Sequence, residues 1–599
     1  MPQETIKSCT VAELLVRYLA AEGVTRVFGI PGGASIWVML ELRKQKIDFI
    51  VCRHETAAAY MADGHARVTG GLGVVLTTSG PGATNAVTGA MNAEASNISL
   101  LVITGEVPEK FFGEGYLQEG IDAKLNVDGV YANAVDSSAL IASSTSFQTL
   151  IQQALRDARS LPNGAAHISL PNDVASTCIP TPNKPNPASY QVVSRCADVQ
   201  GIEETLRDLV EAERPLFFLG NGSRAALADD RRREEFTRFV DRFGIPVMTT
   251  PDAKGIFPES HEMSLRNYGM CQSAWPALYM QSLKGHYDAL VVLGSAMGQL
   301  ATMVNAAKPY DPILIPQGSF TQVDIDARVI ARDFPVTRGM VGEVGASLDV
   351  LLERARHARP HEEKVRARKA VIAQIKESLP AWADPKGRES NAAPVHPAAM
   401  MRVITELMKD GEIFIDAGNC VGWSLNDLVV DPPTRYRSAL DMGPMGFASG
   451  AVVGGKLGKP NKPCIAIIGD GAFMMHGAEI STAAQNGVGA VWIVLDDNDL
   501  AMVSQGMDQL FPKQAPWEPS YALGAPDLAK FAEGLGANAV TIARDQNPEH
   551  FRAALKSAIE RADADRRPQA IIVKIDTKPM PPYGWPQMSI PDCANPSKT

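Results

Sequence analysis

Two short acidic segments could do chemistry together. Asp470 lies in the turn Gly469-Asp470-Gly471 behind the apolar run IAII, and the string LDDND, which holds Asp497, Asn498 and Asp499, closes the apolar run AVWIV. Each run suits a buried strand, and the helix-like stretch AEISTAAQNG separates them. A strand, a helix and a strand in that order form a right-handed crossover, which brings both carboxyl ends to one edge of a parallel sheet. Asp470 and Asp497 can therefore meet. Two hard oxygen donors at neighbouring strand ends suit Mg²⁺, which takes one or two protein carboxylates and completes its shell with phosphate oxygens and water. The glycines leave room for a diphosphate against backbone N–H groups at a helix start, where the dipole favours anions. A lone Gly-Asp-Gly turn is common, so the pairing with the second acidic segment carries the argument.

The elements that must position these groups alternate along the chain. Thr10 and Glu13 have capping spacing before the apolar pattern of AELLVRYLAAEG, and RVFGIPGG reads as a strand ending in a glycine turn. GLGVVLTTSGPGATNAVTGAMNA and ISLLVITGE continue the alternation, which implies a parallel sheet covered by helices. A Pro-rich stretch, IPTPNKPNPAS, breaks the pattern, and PLFFLGNGS, GIPVMTT, DALVVLGSA and PILIPQGSFTQVDID begin it again. From 355 to 397 the chain turns basic and then polar, which reads as a solvated helix and a connection with surface charges. GEIFIDAGN, PCIAIIGDGAF, AVWIVLDDND and PQAIIVKID supply four strands of a third unit. The expected architecture is α/β: three doubly wound parallel-sheet domains over 1–183, 190–358 and 385–599.

Bulk properties narrow the function. The 599 residues are 45% hydrophobic and 21% charged, as in soluble globular proteins, and the net charge of −10 offers no general basic surface for nucleic acid or anionic membrane. No apolar run reaches membrane-spanning length and no apolar signal core opens the chain, so a cytoplasmic protein is expected. The eight cysteines are scattered without a C-x-x-C pair, so neither a disulfide framework nor a zinc site is signalled.

The Gly-Asp-Gly turn, 24 residues, and then Asp-Asp-Asn resembles the signature of the thiamine-diphosphate enzymes. The segments VFGIPGGA, CRHETAAAYMADGHAR, TTSGPGATNAVTGAMNA, VITGEVP, YLQEGID, QVDID, MGPMGFASG and GDGAFMMHGAEISTA stand in the order found in the acetohydroxyacid synthase (acetolactate synthase) group. The resemblance extends over nearly the whole chain, and it implies thiamine diphosphate and Mg²⁺ as cofactors. It places Glu55 on N1′ of the aminopyrimidine, where a carboxyl group promotes the tautomer that removes the C2 proton. Met445 is then the apolar support that bends the cofactor. Asp470, Asp497 and the carbonyl of Asp499 match metal ligands, and Gly418, Asn419, Gly471 and Ala472 match diphosphate contacts. Pro31, Gly32, Gly33, Thr78, Pro81, Asn85 and Gln118 match residues around the aminopyrimidine and the reacting centre, Gly33 and Gln118 among the catalytic ones. In relatives the Glu and the metal ligands come from different subunits, so the resemblance implies a homodimer or homotetramer.

The sequence departs from that group at several places. The metal position usually held by Asn is Asp497, unless a one-residue slip gives the role to Asn498. Met297 and Leu300 stand where family arginines contact FAD and the acceptor carboxylate, and GMCQ at 269–272 replaces a flavin contact, so the polar anchors for FAD are missing. Gly506 replaces a Trp and Leu117 a Phe, which makes the acceptor side roomier. The expected reaction is decarboxylation of a 2-oxo acid, pyruvate, and carboligation to a carbonyl acceptor larger or less polar than a housekeeping synthase takes. A 2-oxo acid decarboxylase, a benzaldehyde-lyase-like enzyme and a flavin-dependent pyruvate oxidase are alternatives on the same scaffold, and a catalytically silent regulatory relative is one of another class. The Pro-rich tail from 579 onward suits either a docked segment or a disordered one.

Overall fold

A computed structural model describes residues 8–122, 124–180, 184–192, 196–281, 287–302, 312–512 and 520–583. Three six-stranded sheets, each wholly parallel, follow one another along the chain. The leading sheet has the spatial order Asp48–Val51, Arg26–Gly29, Gly73–Thr77, Leu100–Glu106, Ala165–Pro171, Ser137–Leu140. The closing sheet runs Arg435–Arg437, Glu412–Ile415, Cys464–Gly469, Val491–Asp496, Gln569–Lys574, Asn538–Ile542. Counted within each unit, both orders are 2-1-3-4-6-5. The middle sheet differs: Ser264–Asn267, Val247–Thr249, Pro215–Leu219, Ala289–Leu293, Ser319–Asp324, Arg338–Val341, or 3-2-1-4-5-6. The expected α/β class with doubly wound parallel sheets is what the chain forms.

The repeated order has no counterpart in any visible sequence repeat, yet it sets where ligands can bind. In an open parallel sheet the crevice lies beyond the carboxyl ends of the strands, where the order reverses. That point falls between Arg26–Gly29 and Gly73–Thr77 in the leading sheet, and between Glu412–Ile415 and Cys464–Gly469 in the closing one.

The same duplication places two equivalent helices back to back. Glu55–Thr69 and Phe447–Gly458 each follow the second strand of their unit and precede the third. Twelve of the fifteen residues of the first are buried, as are ten of the twelve of the second, so neither shows the polar face of a surface helix. They run side by side in the same direction. A β-carbon on Gly450 would lie 3.0 Å from the carbonyl oxygen of Ala57, and one on Gly454 only 1.8 Å from that of Met61. Small residues thus let two backbones touch, and a single apolar core continues from the leading unit (Phe28, Val75, Val102) into the closing one (Phe414, Ile468, Trp492).

Thr10 caps the first long helix as its spacing implies, accepting from the Glu13 N–H at 3.1 Å. The basic stretch after 355 forms the helix Glu362–Ser378, with one correction to the reading of its charges as surface groups. Arg368 is buried and donates to the carbonyls of Phe243, Leu209, Val210 and Ala212, closing the ends of middle-unit elements that would otherwise leave buried oxygens unpaired. No helix among the described residues is long and apolar enough to cross a membrane.

Candidate active site

The closing crevice is built from the loops after its first and third strands. After Glu412–Ile415 the chain turns through Gly418 at φ 104°, a left-handed conformation that favours glycine, and Asn419 begins a helix. No atom lies within 4 Å of where a β-carbon on Gly418 or Gly469 would be, so both glycines border open space. After Cys464–Gly469, Asp470 opens the next helix and accepts from its own neighbour, the Gly471 N–H, at 2.7 Å. Its second oxygen accepts from the Asn498 N–H at 2.7 Å, which joins the loops of the third and fourth strands. Met445, half-buried, packs against the shared core, and its methyl group would lie 3.4 Å from a β-carbon on Gly471. Ala472 is buried under the same turn.

Electrostatics mark this edge. Burial pushes the Asp470 carboxyl up to about 6. Burial and then the charge of Asp470 push Asp497 up to about 8. Two desolvated carboxylates that repel each other are a donor set that a divalent cation would return to the ionised form. Asn498 sits at φ 60°, and its amide, in the orientation that satisfies both of its ends, donates to Asp496 and to the carbonyl of Gly524. Asp499 donates its N–H to Asp497 at 3.2 Å, and its side chain accepts from Ser504. Among the described residues, no group of three or more His, Cys, Asp or Glu comes together to hold a metal. The pair Asp470 and Asp497 fits an ion that takes most of its shell from a phosphate-bearing ligand and water.

The leading crevice gathers the other candidates. Glu55 is the first residue of its helix, is 7% exposed, and accepts from the Asn85 amide at 3.0 Å. Gly82 lies close beside it, 3.3 Å separating a β-carbon there from the Glu55 carboxylate. Gly32 is pressed onto Thr78, where a β-carbon would meet the Thr side chain at 2.4 Å, while Gly33 faces open space and Pro31 and Pro81 are exposed. Gln118 is exposed and held at φ 61°, its backbone against Gly80, itself at φ 57°. The structure thus collects Pro31, Gly32, Gly33, Thr78, Pro81 and Asn85 at the switch point of the leading sheet with Glu55 and Gln118. It collects Gly418, Asn419, Met445, Asp470, Gly471, Ala472 and Asp497 at that of the closing sheet.

Two buried carboxylates beside these residues escaped the sequence reading. Glu479 accepts from the N–H groups of Arg53 (3.0 Å) and His54 (3.1 Å), tying the closing unit to the residues just before Glu55. Asp416 accepts from Gly446 and Ala448. Their signal was present, an acid directly after the strand run EIFI and an acid inside GAEISTA, but an isolated acid in a sequence is more often solvated.

Met297 is buried in the middle core at φ 51°, and Leu300 is 39% exposed and accepts through its carbonyl from the Met270 N–H at 2.7 Å. The 269–272 and 297–300 segments therefore pack on each other. Leu117 is 82% exposed. Gly506 has no atom within 4 Å of a β-carbon position and lines a crevice with Asn419, Gln505, Met580 and Tyr583. Of the C-terminal tail, the described part is docked: Tyr583 donates to the Gly418 carbonyl at 3.3 Å, while 584–599 lies outside the described residues.

Comparison with known proteins agrees with this geometry. Residues 9–125 match the family described as thiamine pyrophosphate enzyme, N-terminal TPP binding domain; 202–351 match its central domain, and 416–573 its C-terminal TPP binding domain. A "probable acetolactate synthase large subunit" of Methanocaldococcus jannaschii is 30% identical over 560 residues, covering 92% of this chain and 89% of its own. The acetolactate synthase isozyme 3 large subunit of Escherichia coli is 28% identical over 93% of both chains, and an acetolactate synthase of Arthrospira platensis is 28% identical over 90% of this chain and 91% of its own. With three matched domains over three parallel sheets, and relatives aligned almost end to end, the chain belongs to the thiamine pyrophosphate enzyme family, as an acetolactate synthase-like enzyme.

Proposed function

We propose that the chain decarboxylates a 2-oxo acid, pyruvate, and joins the remaining two-carbon unit to a carbonyl acceptor larger or less polar than the acceptors of housekeeping synthases. The observation that carries this reading is the pair of raised, adjacent carboxylates Asp470 and Asp497 at the switch point of the closing sheet, beside open glycine turns. Thiamine diphosphate, when bound, supplies a nucleophilic thiazolium carbon that adds to the 2-oxo acid and lets CO₂ leave.

The chain's own residues do the rest. Asp470, Asp497 and the carbonyl of Asp499 would hold Mg²⁺; the Asn498 amide, which in its satisfied orientation reaches Asp496 and Gly524, supports Asp497 over Asn498 as the second ligand. Gly418, Asn419, Gly471 and Ala472 would receive the diphosphate at two helix starts. Met445, leaning on the Gly471 turn, would give the ring system an apolar support. Glu55, oriented by Asn85, would hold a proton for the aminopyrimidine ring and so assist formation of the nucleophilic carbon. Gln118, Gly33 and the residues around Thr78 orient the reacting groups.

The acceptor preference rests on Gly506, Leu117 and Met297. The first leaves space where a side chain would stand, the second turns a small apolar side chain outward, and the third fills the middle core with no guanidinium to clamp a carboxylate. The same loss supports a cofactor set without FAD. Exposed apolar side chains near both crevices, Ile36, Leu117 and Met475 among them, support a homodimer or homotetramer that covers them. Incubating the protein with Mg²⁺, thiamine diphosphate, pyruvate and a panel of 2-oxo acids and aldehydes, with products identified by mass, tests the reading. Mixed ligation products with bulky or apolar acceptors are expected. Acetolactate as the dominant product at ordinary synthase rates would refute the acceptor argument, and aldehyde release without ligation would favour a decarboxylase.

A further inference from the structure

We propose that Asp416 is a positioning residue that sets Met445 relative to the diphosphate cradle, one buried carboxylate holding together the two segments that the function above assigns to the same cofactor. The inference rests on that assignment of Gly418, Asn419 and Met445.

Asp416 directly follows the strand Glu412–Ile415 and is 1% exposed. One carboxylate oxygen accepts from the Gly446 N–H at 2.8 Å and from the Ala417 N–H at 3.0 Å, and the other accepts from the Ala448 N–H at 2.7 Å. Gly446 and Ala448 lie at the start of the helix Phe447–Gly458, whose first N–H groups have no partner inside the helix, and its N-cap residue, Gly446, has no side chain to cap them. The cap thus comes from another strand end, thirty residues earlier in the chain. A carboxylate suits the place, because the helix dipole favours negative charge at this end.

The consequence for the site is geometric. Met445 is the residue immediately before the capped turn, and Gly446 holds φ 88°, so the direction in which the chain leaves Met445 is fixed by a residue in the left-handed region. On the other side, Asp416 is two residues before Gly418 at φ 104° and three before Asn419, where a second helix begins. Two helix starts, one that would receive the diphosphate and one that carries Met445, are therefore held at a set offset through a single side chain. Met445 in turn leans on the Gly471 turn next to Asp470. A displacement on the order of 1 Å in such a support costs about a hundredfold in a reaction that depends on two groups of one ligand meeting.

The test uses the full-length protein in which Asp416→Asn keeps the volume and one acceptor oxygen, and Asp416→Glu keeps the charge but moves it by one methylene. Three quantities are read: protection of the backbone amides of 439–449 by hydrogen exchange without cofactor, the dissociation constant of thiamine diphosphate at saturating Mg²⁺, and the rate at which the C2 proton of bound thiamine diphosphate exchanges with solvent deuterium. Both variants are expected to lose protection at 439–449 by about tenfold or more, to bind the cofactor within roughly tenfold of wild type, and to exchange the C2 proton about a hundredfold more slowly. A purely structural role would lower thermal stability and affinity together and leave exchange of the bound cofactor at the wild-type rate, which overturns the inference. Unchanged protection of 439–449 in both variants overturns it as well. Wild-type protein that takes up no thiamine diphosphate overturns the proposed function and this inference with it, whereas normal uptake with normal exchange in both variants overturns this inference alone.

Discussion

Gly454→Ala should break the seam between the leading and closing units. The new β-carbon would stand 1.8 Å from the carbonyl oxygen of Met61 and 2.6 Å from its carbonyl carbon, both backbone atoms with no rotamer to escape into. Ordinary contact needs about 3.4 Å, so the two helices would have to part by roughly 1.5 Å. Their neighbours resist this: a β-carbon on Gly64 would lie 2.2 Å from the Ala451 carbonyl oxygen, so the approach is equally close a turn away. Overpacking of this kind costs about 3 kcal/mol, against which alanine regains about 1 kcal/mol of helix propensity. The sign is therefore informative. Chemical denaturation followed by tryptophan fluorescence should show the variant less stable by about 2 kcal/mol. Gly534→Ala, in the helix Leu528–Gly534, is the control, because no atom lies within 4 Å of its β-carbon position. It should cost less than about 1 kcal/mol. A Gly454→Ala protein as stable as wild type, or more so, would refute the close-packed seam.

Three further outcomes are expected. Glu55→Gln, which cannot hold the proton, should slow C2-proton exchange of bound thiamine diphosphate by about 10²–10⁴-fold with cofactor affinity little changed, and exchange at the wild-type rate would remove Glu55 from the site. Asp497→Asn removes one negative charge from the metal edge, so the Mg²⁺ concentration giving half-maximal activity should rise by about tenfold or more, while Asn498→Ala should destabilise the loop with a smaller change in that concentration; the reverse pattern would reassign the ligand. His167, stacked on Tyr131 with both ring nitrogens hydrogen-bonded to Thr104 and Ser138, is lowered to about 3 by burial. Because its folded value lies below its ordinary one, its contribution is complete above pH 6.5 and is lost as the pH falls toward 3; at pH 5 about 2 kcal/mol should be missing, and His167→Gln should show a shallower fall in denaturation midpoint over that range.

Much of the closing site could be read from residue order alone, for a physical reason. IAII and AVWIV are continuous apolar runs, as strands buried on both faces must be, and each ends in glycine or acid where the chain leaves the sheet. Crossover handedness then brings Asp470 and Asp497 together without further information. Edge strands were harder. Ser264–Asn267 and Arg435–Arg437 are short and rich in polar residues, and they become strands through pairing with a neighbour that no local pattern announces. Asp416 and Glu479 were hidden for a related reason: their hydrogen-bond partners lie thirty and more than four hundred residues away. Arg368 looked like one more surface charge in a basic helix, and only the arrangement of four carbonyls around it explains its burial. The matching strand orders of the leading and closing sheets left no trace in residue identity, since a sheet order constrains periodicity and turn placement more than side-chain type.

The glycine seam between the Glu55 and Phe447 helices has a consequence for biosynthesis. A ribosome adding about 5–20 residues per second delivers residue 454 roughly 20–80 s after residue 61. Throughout that interval the nascent leading unit carries a helix whose seam face, with Ala57, Met61 and Gly64 on it, has no partner. Its mate is still unmade, and a nascent chain halted before the closing unit would display that bare surface to holdase chaperones or to its own copies.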